Sequence, residues 1–213
     1  MSDFVTGKIP RRLDPKAFSD ELESRYKRNG WYRVLGLDLG TNCGFAVAFV
    51  GKDGLAATQP VMAGMWDLSI GNYDSGALRH VRLRAFLAAV SPHFIGYEEP
   101  KVVLPEGQFA GKPIAAILAR AVPTAEFLGS LKTTVMCWSE DHGVAAKGYG
   151  ISEIKKFLSG KGNAGKPEMI KACNERYGTD LSAENFESTG HDNVADAIGV
   201  CALSLEAYTG GLA

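Results

Sequence analysis

The sequence predicts an α/β fold built on a five-stranded mixed sheet, and three observations predict it. The first is a run of short apolar segments, VLGLDL, GFAVAFV and QPVMAGMWDL, separated by the turn signals GTNC and KDG. Three sequential strands joined by tight turns read as an antiparallel meander opening a mixed sheet. The second is that later strand-like runs, HFIGYEEP and KTTVMCWS, alternate with segments of helical period. The third is size: 213 residues with 46% hydrophobic and 22% charged residues describe one ordinary globular core.

Taken in order, residues 1–30 are polar, and DPKAFSDELESRYKR reads as a helix capped by Asp14 with Pro15 in its first turn. The sequence predicts this helix as an extension appended to a main domain of residues 31–213. After the meander, Leu78, Val81, Leu83, Phe86, Leu87 and Val90 recur at helical spacing until Ser91-Pro92 stops them. HFIGYEEP is the fourth strand. Residues 111–130 form a largely apolar helix kinked or broken near Pro123, and KTTVMCWS is the expected fifth strand. ISEIKKFLSG and KPEMIKACNERYG are amphipathic helices flanking GKGNAG. HDNVADAIGVCALSLEAY closes the domain as a long helix with Val194, Ala197, Ile198, Cys201 and Leu205 on one stripe.

Composition excludes several classes. The four cysteines lie far apart with no C-x-x-C pair, which argues against a disulfide framework or a zinc knuckle and for a reducing, cytoplasmic setting. The opening residues carry no apolar signal segment, and no stretch approaches the roughly 18 apolar residues of a membrane span. Net charge is −1, but its distribution is uneven. Residues 1–33 carry eight Lys and Arg against five Asp and Glu, and residues 147–176 carry seven against three. The balancing acidity falls beside apolar runs, a costly place to leave charge that does no chemistry.

Asp38 sits between Leu37 and Leu39 in the most apolar strand. A carboxylate there must be paired, cap the GTNC turn or hold a cation, because unpaired burial costs several kcal/mol. Glu98 and Glu99 end the fourth strand, and alternation sends them to opposite faces, so one of the two can reach a site. Asp192 and Asp196 stand one turn apart on the last helix. Asp192 suits the positive end of the helix dipole, whereas Asp196, inside VADAIG, has no such reason to be there. A strand aspartate, a strand-end glutamate and a helix aspartate pair can together form a site for two hard divalent cations.

With these residues in view, the sequence resembles the RuvC-like Holliday junction resolvases, of the phage or bacterial kind, in the ribonuclease H-like superfamily. The resemblance spans roughly residues 33–207 and rests on VLGLDLGTNCGFAVA, IGYEEP, KKFLSGKGNAGKPEMI and HDNVADAIG. It implies a ribonuclease H-like fold with helices on both faces of the sheet. It further implies Asp38, Glu98, Asp192 and Asp196 as ligands of two magnesium ions, with manganese as a substitute, and no small-molecule cofactor. Lys161 and Lys166 of the G-x-G-x-A-x-K loop, with Lys155 and Lys156 before it, would meet DNA phosphates without reading sequence. The expected activity is nicking of four-way junctions to leave 5′-phosphates, by a homodimer joined through the 111–130 helix.

Some positions depart from the family pattern. Members whose helix pair is spaced by three would place Asn193, rather than Asp192, beside Asp196. The aromatic wedge that some members carry after the strand-four glutamate is Lys101 here, and residues 1–30 have no counterpart. Other readings of the same motifs differ in substrate or chemistry. A YqgF-like nuclease would share the metal chemistry while cutting forks, flaps or structured RNA. The hairpin DLGTNCG also fits actin-like ATPases and sugar kinases, but those need two such domains.

Overall fold

The structure, a computed structural model, describes residues 15–25, 31–51, 60, 62–100 and 114–210. Its elements are α1 (Pro15–Arg25), β1 (Trp31–Asp38), β2 (Asn42–Gly51), β3 (Met62–Asp67), α2 (Leu78–Val90), β4 (Phe94–Glu98), α3 (Ile114–His142), β5 (Ala145–Tyr149), α4 (Ile151–Ser159), α5 (Lys166–Tyr177), α6 (Phe186–Thr189) and α7 (His191–Gly210). The strands form one five-stranded mixed sheet in the order β3-β2-β1-β4-β5. The first three make the expected antiparallel meander, with Asp38 opposite Gly44 and Asn42 opposite Asp67. β4 then joins β1 in parallel, Gly36 beside Gly96, and β5 joins β4 in parallel.

Helices cover both faces, and strand alternation decides what each helix meets. One face presents Leu35, Leu37, Phe45, Val47, Phe49, Ile95 and Tyr97 to α1, α2 and α3. At its centre Trp66 is stacked between Phe45 and Phe86, each ring centroid 4.7 Å away, with Phe18 edge-on. The other face presents Gly36, Gly44, Ala46, Ala48 and Gly96, and α7 lies directly on this shallow lane. A methyl group added at Gly36 would fall 2.6 Å from the Ala197 carbonyl oxygen, and one at Gly96 would collide with Ser204. α4 and α5 complete this layer, through Ile154, Leu158, Met169, Ile170 and Cys173.

Three expectations are corrected. KTTVMCWS is not a strand. It lies within α3, which runs through Pro123 to His142, because Leu131, Val135 and Trp138 recur at helical spacing and are all buried. Gly143, at φ +64°, supplies the stop, its left-handed backbone letting the Val144 N–H return to the Ser139 carbonyl at 2.9 Å. The fifth strand is instead Ala145–Tyr149, an exposed edge whose weak apolar content hid it. α1 is not an appendage: Phe18 and Leu22 are 1% and 2% exposed inside the main core. α2, α4, α5 and α7 form as expected, although Val81 of α2 faces solvent. Cys43, Cys173 and Cys201 are buried thiols and Cys137 an exposed one. Lys101 and Asp14 lie outside the described residues, and the side chains of Ile114–Leu118 are likewise outside them.

Candidate active site

The C-terminal ends of β1 and β4 and the first turns of α7 converge at one end of the sheet. Asp38 shares its face with Gly36, and Glu98 shares its face with Gly96, so both carboxylates point to the side that α7 covers. Glu99 turns to the opposite face, where it forms an ion pair with Lys132 of α3. Parity along β4 thereby selects Glu98 as the residue that reaches the site.

On α7, Asp192 is buried and forms an ion pair with Lys166, the first residue of α5. Asn193 turns elsewhere. Its side-chain amide donates to the Asn42 carbonyl at 3.1 Å, pinning α7 to the start of β2. Asp192 and Asp196, rather than Asn193 and Asp196, are the pair turned toward Asp38. His191 accepts a hydrogen bond from the Ser182 N–H through Nδ1 at 2.7 Å.

The electrostatics bind these groups into one unit. Burial pushes the Asp38 carboxyl well above the usual aspartate value, and the fields of Asp196, Glu98 and Asp192 push it the same way against Lys166. Burial and then Asp196 raise Glu98 to about 7, opposed by Lys155 and Lys166. Asp196 stands at about 6, raised by burial and Asp192, with Lys166 and Lys155 pulling down. Burial works against the Lys166 charge, but the Asp192 bond and the fields of Asp192, Asp196 and Asp38 outweigh it and hold its pKa above the usual lysine value. Four carboxylates thus share one neighbourhood with two lysines.

Sequence reasoning placed all four basic residues at a phosphate surface, and the structure divides them. Lys166 is drawn into the acidic cluster and Lys155 lies within its field. Lys161 pairs at 3.4 Å with Glu168, whose second oxygen accepts the Gly165 N–H at 2.8 Å, and Lys156 is exposed on α4. The Lys166 to Asp192 pair was missed, since it joins residues 26 apart through the fold of the α4–α5 turn.

Oxygen-only donors with excess negative charge fit a hard divalent cation such as magnesium. Among the described residues, however, no group of three or more His, Cys, Asp or Glu side chains is closed around a point that could hold a metal ion. The donor set fits by chemistry; the positive charge in this arrangement comes from Lys166 and Lys155.

Compared with known proteins, the chain matches no protein-family model and no curated protein sequence. It is similar to solved structures. A Thermus thermophilus RuvC structure shares 21% identity at a TM-score of 0.55, covering 84% of this chain and 96% of that one. T. thermophilus RuvC in complex with a Holliday junction substrate shares 20% identity at a TM-score of 0.57, covering 85% and 97%. A yeast mitochondrial Holliday junction resolvase, Ydc2, gives 16% identity and a TM-score of 0.48, covering 91% and 89%. The fold is therefore ribonuclease H-like, and within that class it is similar to RuvC.

Proposed function

We propose that this chain is a metal-dependent endonuclease acting on branched DNA, most of all on four-way junctions. The observation that carries the reading is the meeting of Asp38, Glu98, Asp192 and Asp196, from three elements distant in sequence, at one end of a ribonuclease H-like sheet. RuvC, whose structure is similar, has been captured with a Holliday junction substrate, which supports this substrate class.

Asp38, Asp196 and Asp192 would hold one magnesium or manganese ion and Asp38 with Glu98 a second. Such ions supply activation of water and stabilisation of the leaving 3′ oxygen, so that the product carries a 5′-phosphate. The chain's own residues do the rest. Asp38, fixed in the strand ladder, sets the reference position for the other three. Lys166 is tied to Asp192 and would pass to a phosphate oxygen as DNA arrives, so that the site keeps its cation count. Lys155 faces the same cluster, while Lys156 and Lys161 would contact backbone along the α4–α5 turn, adding affinity that falls with salt.

Resolution needs two opposed cuts, and each chain supplies one such cluster among the described residues, so we propose a two-fold homodimer. α3 supports this role by exposing Val122 and Met136, which are 46% accessible each. The test is a panel of four-way junction, fork, flap, linear duplex and structured RNA, each with magnesium, followed by nick mapping. Paired symmetric nicks in the junction are expected. Preference for forks, flaps or RNA favours the YqgF-like reading, and no cutting with magnesium or manganese refutes both.

A further inference from the structure

Outside the carboxylate cluster, the loop from Leu68 to Ala77 holds an aromatic ring entirely in solvent. Tyr73 is fully exposed, at 103% relative accessibility, the most exposed large apolar side chain among the described residues. The loop that carries it is built rather than slack. The Asp74 N–H donates to the Gly71 carbonyl at 3.1 Å, and the Asp74 carboxylate accepts the Gly71 N–H at 2.8 Å, closing a turn whose central residues are Asn72 and Tyr73. Asp67 accepts the Ser69 N–H at 2.8 Å, and Arg82 of α2 donates to the Ser69 carbonyl.

Topology sets this turn at the same end of the sheet as the carboxylates. β3 ends at Asp67, opposite Asn42, and the Leu68 N–H bonds the Thr41 carbonyl at 2.8 Å, three residues past Asp38. α2 then carries the chain to the far end, where Phe94 enters β4 beside Val34. Both ends of the loop therefore lie on the margin where Asp38 and Glu98 terminate their strands.

We infer that Tyr73 is a base-stacking residue that takes an unpaired nucleobase at the branch point of the substrate. The chemistry of the loop favours a base over a phosphate. Asp74, next to Tyr73 in the turn, repels phosphate, and the guanidinium of Arg82 is engaged with Ser69. What the turn offers is a π-face, which every nucleobase can match. In a continuous duplex both faces of each base are covered by neighbours, so the ring finds a free face only where strands part. Tyr73 would thus add selectivity for branches that the phosphate-contacting lysines cannot provide.

This inference rests on the branched-DNA reading above, and the test separates the two. The full chain, without divalent metal, is titrated with a junction carrying a fluorescent adenine analogue at the branch, and with a linear duplex of the same sequence. Wild type and Tyr73→Phe should quench the analogue. Tyr73→Ala should not quench it, should bind the junction about tenfold more weakly, and should bind duplex within about twofold of wild type. Unchanged thermal melting of Tyr73→Ala checks that the exposed substitution leaves the fold intact. Equal junction affinity and equal quenching in wild type and Tyr73→Ala would overturn this inference alone, as would an equal loss on junction and duplex. A wild-type chain that does not prefer the junction overturns the branched-DNA reading and this inference with it.

Discussion

On the face of the sheet that meets α1, α2 and α3, the strands carry Leu, Val, Ile and Phe around the stacked Trp66; on the face that meets α7 they carry Gly36, Gly44, Gly96 and alanines. The difference shows two uses of one sheet. Large side chains bury the most apolar area, so the aromatic face stores stability. Small ones let a helix backbone lie almost on the strands, and that close approach brings Asp192 and Asp196 of α7 within the field of Asp38 and Glu98. The acidic site depends on what the lane lacks: side chains.

The sharpest way to break this contrast is to put bulk in the lane. Gly36→Val drives a side chain into the backbone of Ala197 and Cys201, and is expected to cost at least about 3 kcal/mol in urea denaturation and to abolish cleavage with it. Neutralising the site does the reverse to stability. Asp38→Asn or Asp196→Asn should lower cleavage at least about a thousandfold while junction binding persists and the metal-free melting temperature rises, since a member of a repelling cluster has been removed. Near wild-type cutting by either variant would remove that residue from the site. On the opposite face, Trp66→Ala should cost about 3–5 kcal/mol yet leave junction affinity of the folded protein unchanged.

Acidity distinguishes the faces next. Asp38, Glu98 and Asp196 hold their protons more tightly folded than unfolded, so their contribution favours the native state at low pH and is lost as pH rises. Without divalent metal, stability should fall by several kcal/mol from pH 4 to pH 8, levelling off above the values of about 6 for Asp196 and about 7 for Glu98. Saturating magnesium should flatten the profile, as calorimetry in both conditions would reveal. The smallest effect belongs to Glu99. Glu99→Gln removes a partly exposed ion pair with Lys132, worth about 1 kcal/mol or less, and should leave cleavage intact where Glu98→Gln abolishes it.

How much was legible in the sequence follows from which features are local. The meander, β4, α2 and α7 declare themselves through period and turn residues within a few positions. β5 does not, because Ala145, Ala146 and Lys147 lie exposed on an edge and carry no apolar signal, while the β-branched run before them is claimed by the buried stripe Leu131, Val135 and Trp138. The true stop was Gly143, a single residue. Burial of α1 was written only in Phe18 and Leu22, one turn apart in a polar stretch. Asp38 and Asp196 were legible because each stood where charge is expensive, whereas Glu98 and Asp192 were singled out only by the family resemblance. Which face Glu98 takes required the register of Gly96 beside Gly36, and the capture of Lys166 by Asp192 required the tertiary fold.

The position of α7 after all five strands in chain order also has a temporal meaning. Asp38 and Glu98 emerge from the ribosome long before Asp192, and while α7 is missing the glycine lane is bare and the two carboxylates lack their helical partners. A chain interrupted before α7 would carry half of the acidic cluster on an uncovered sheet and would be prone to associate through that surface. Closure of the glycine lane by α7 and assembly of the acidic cluster are then one event.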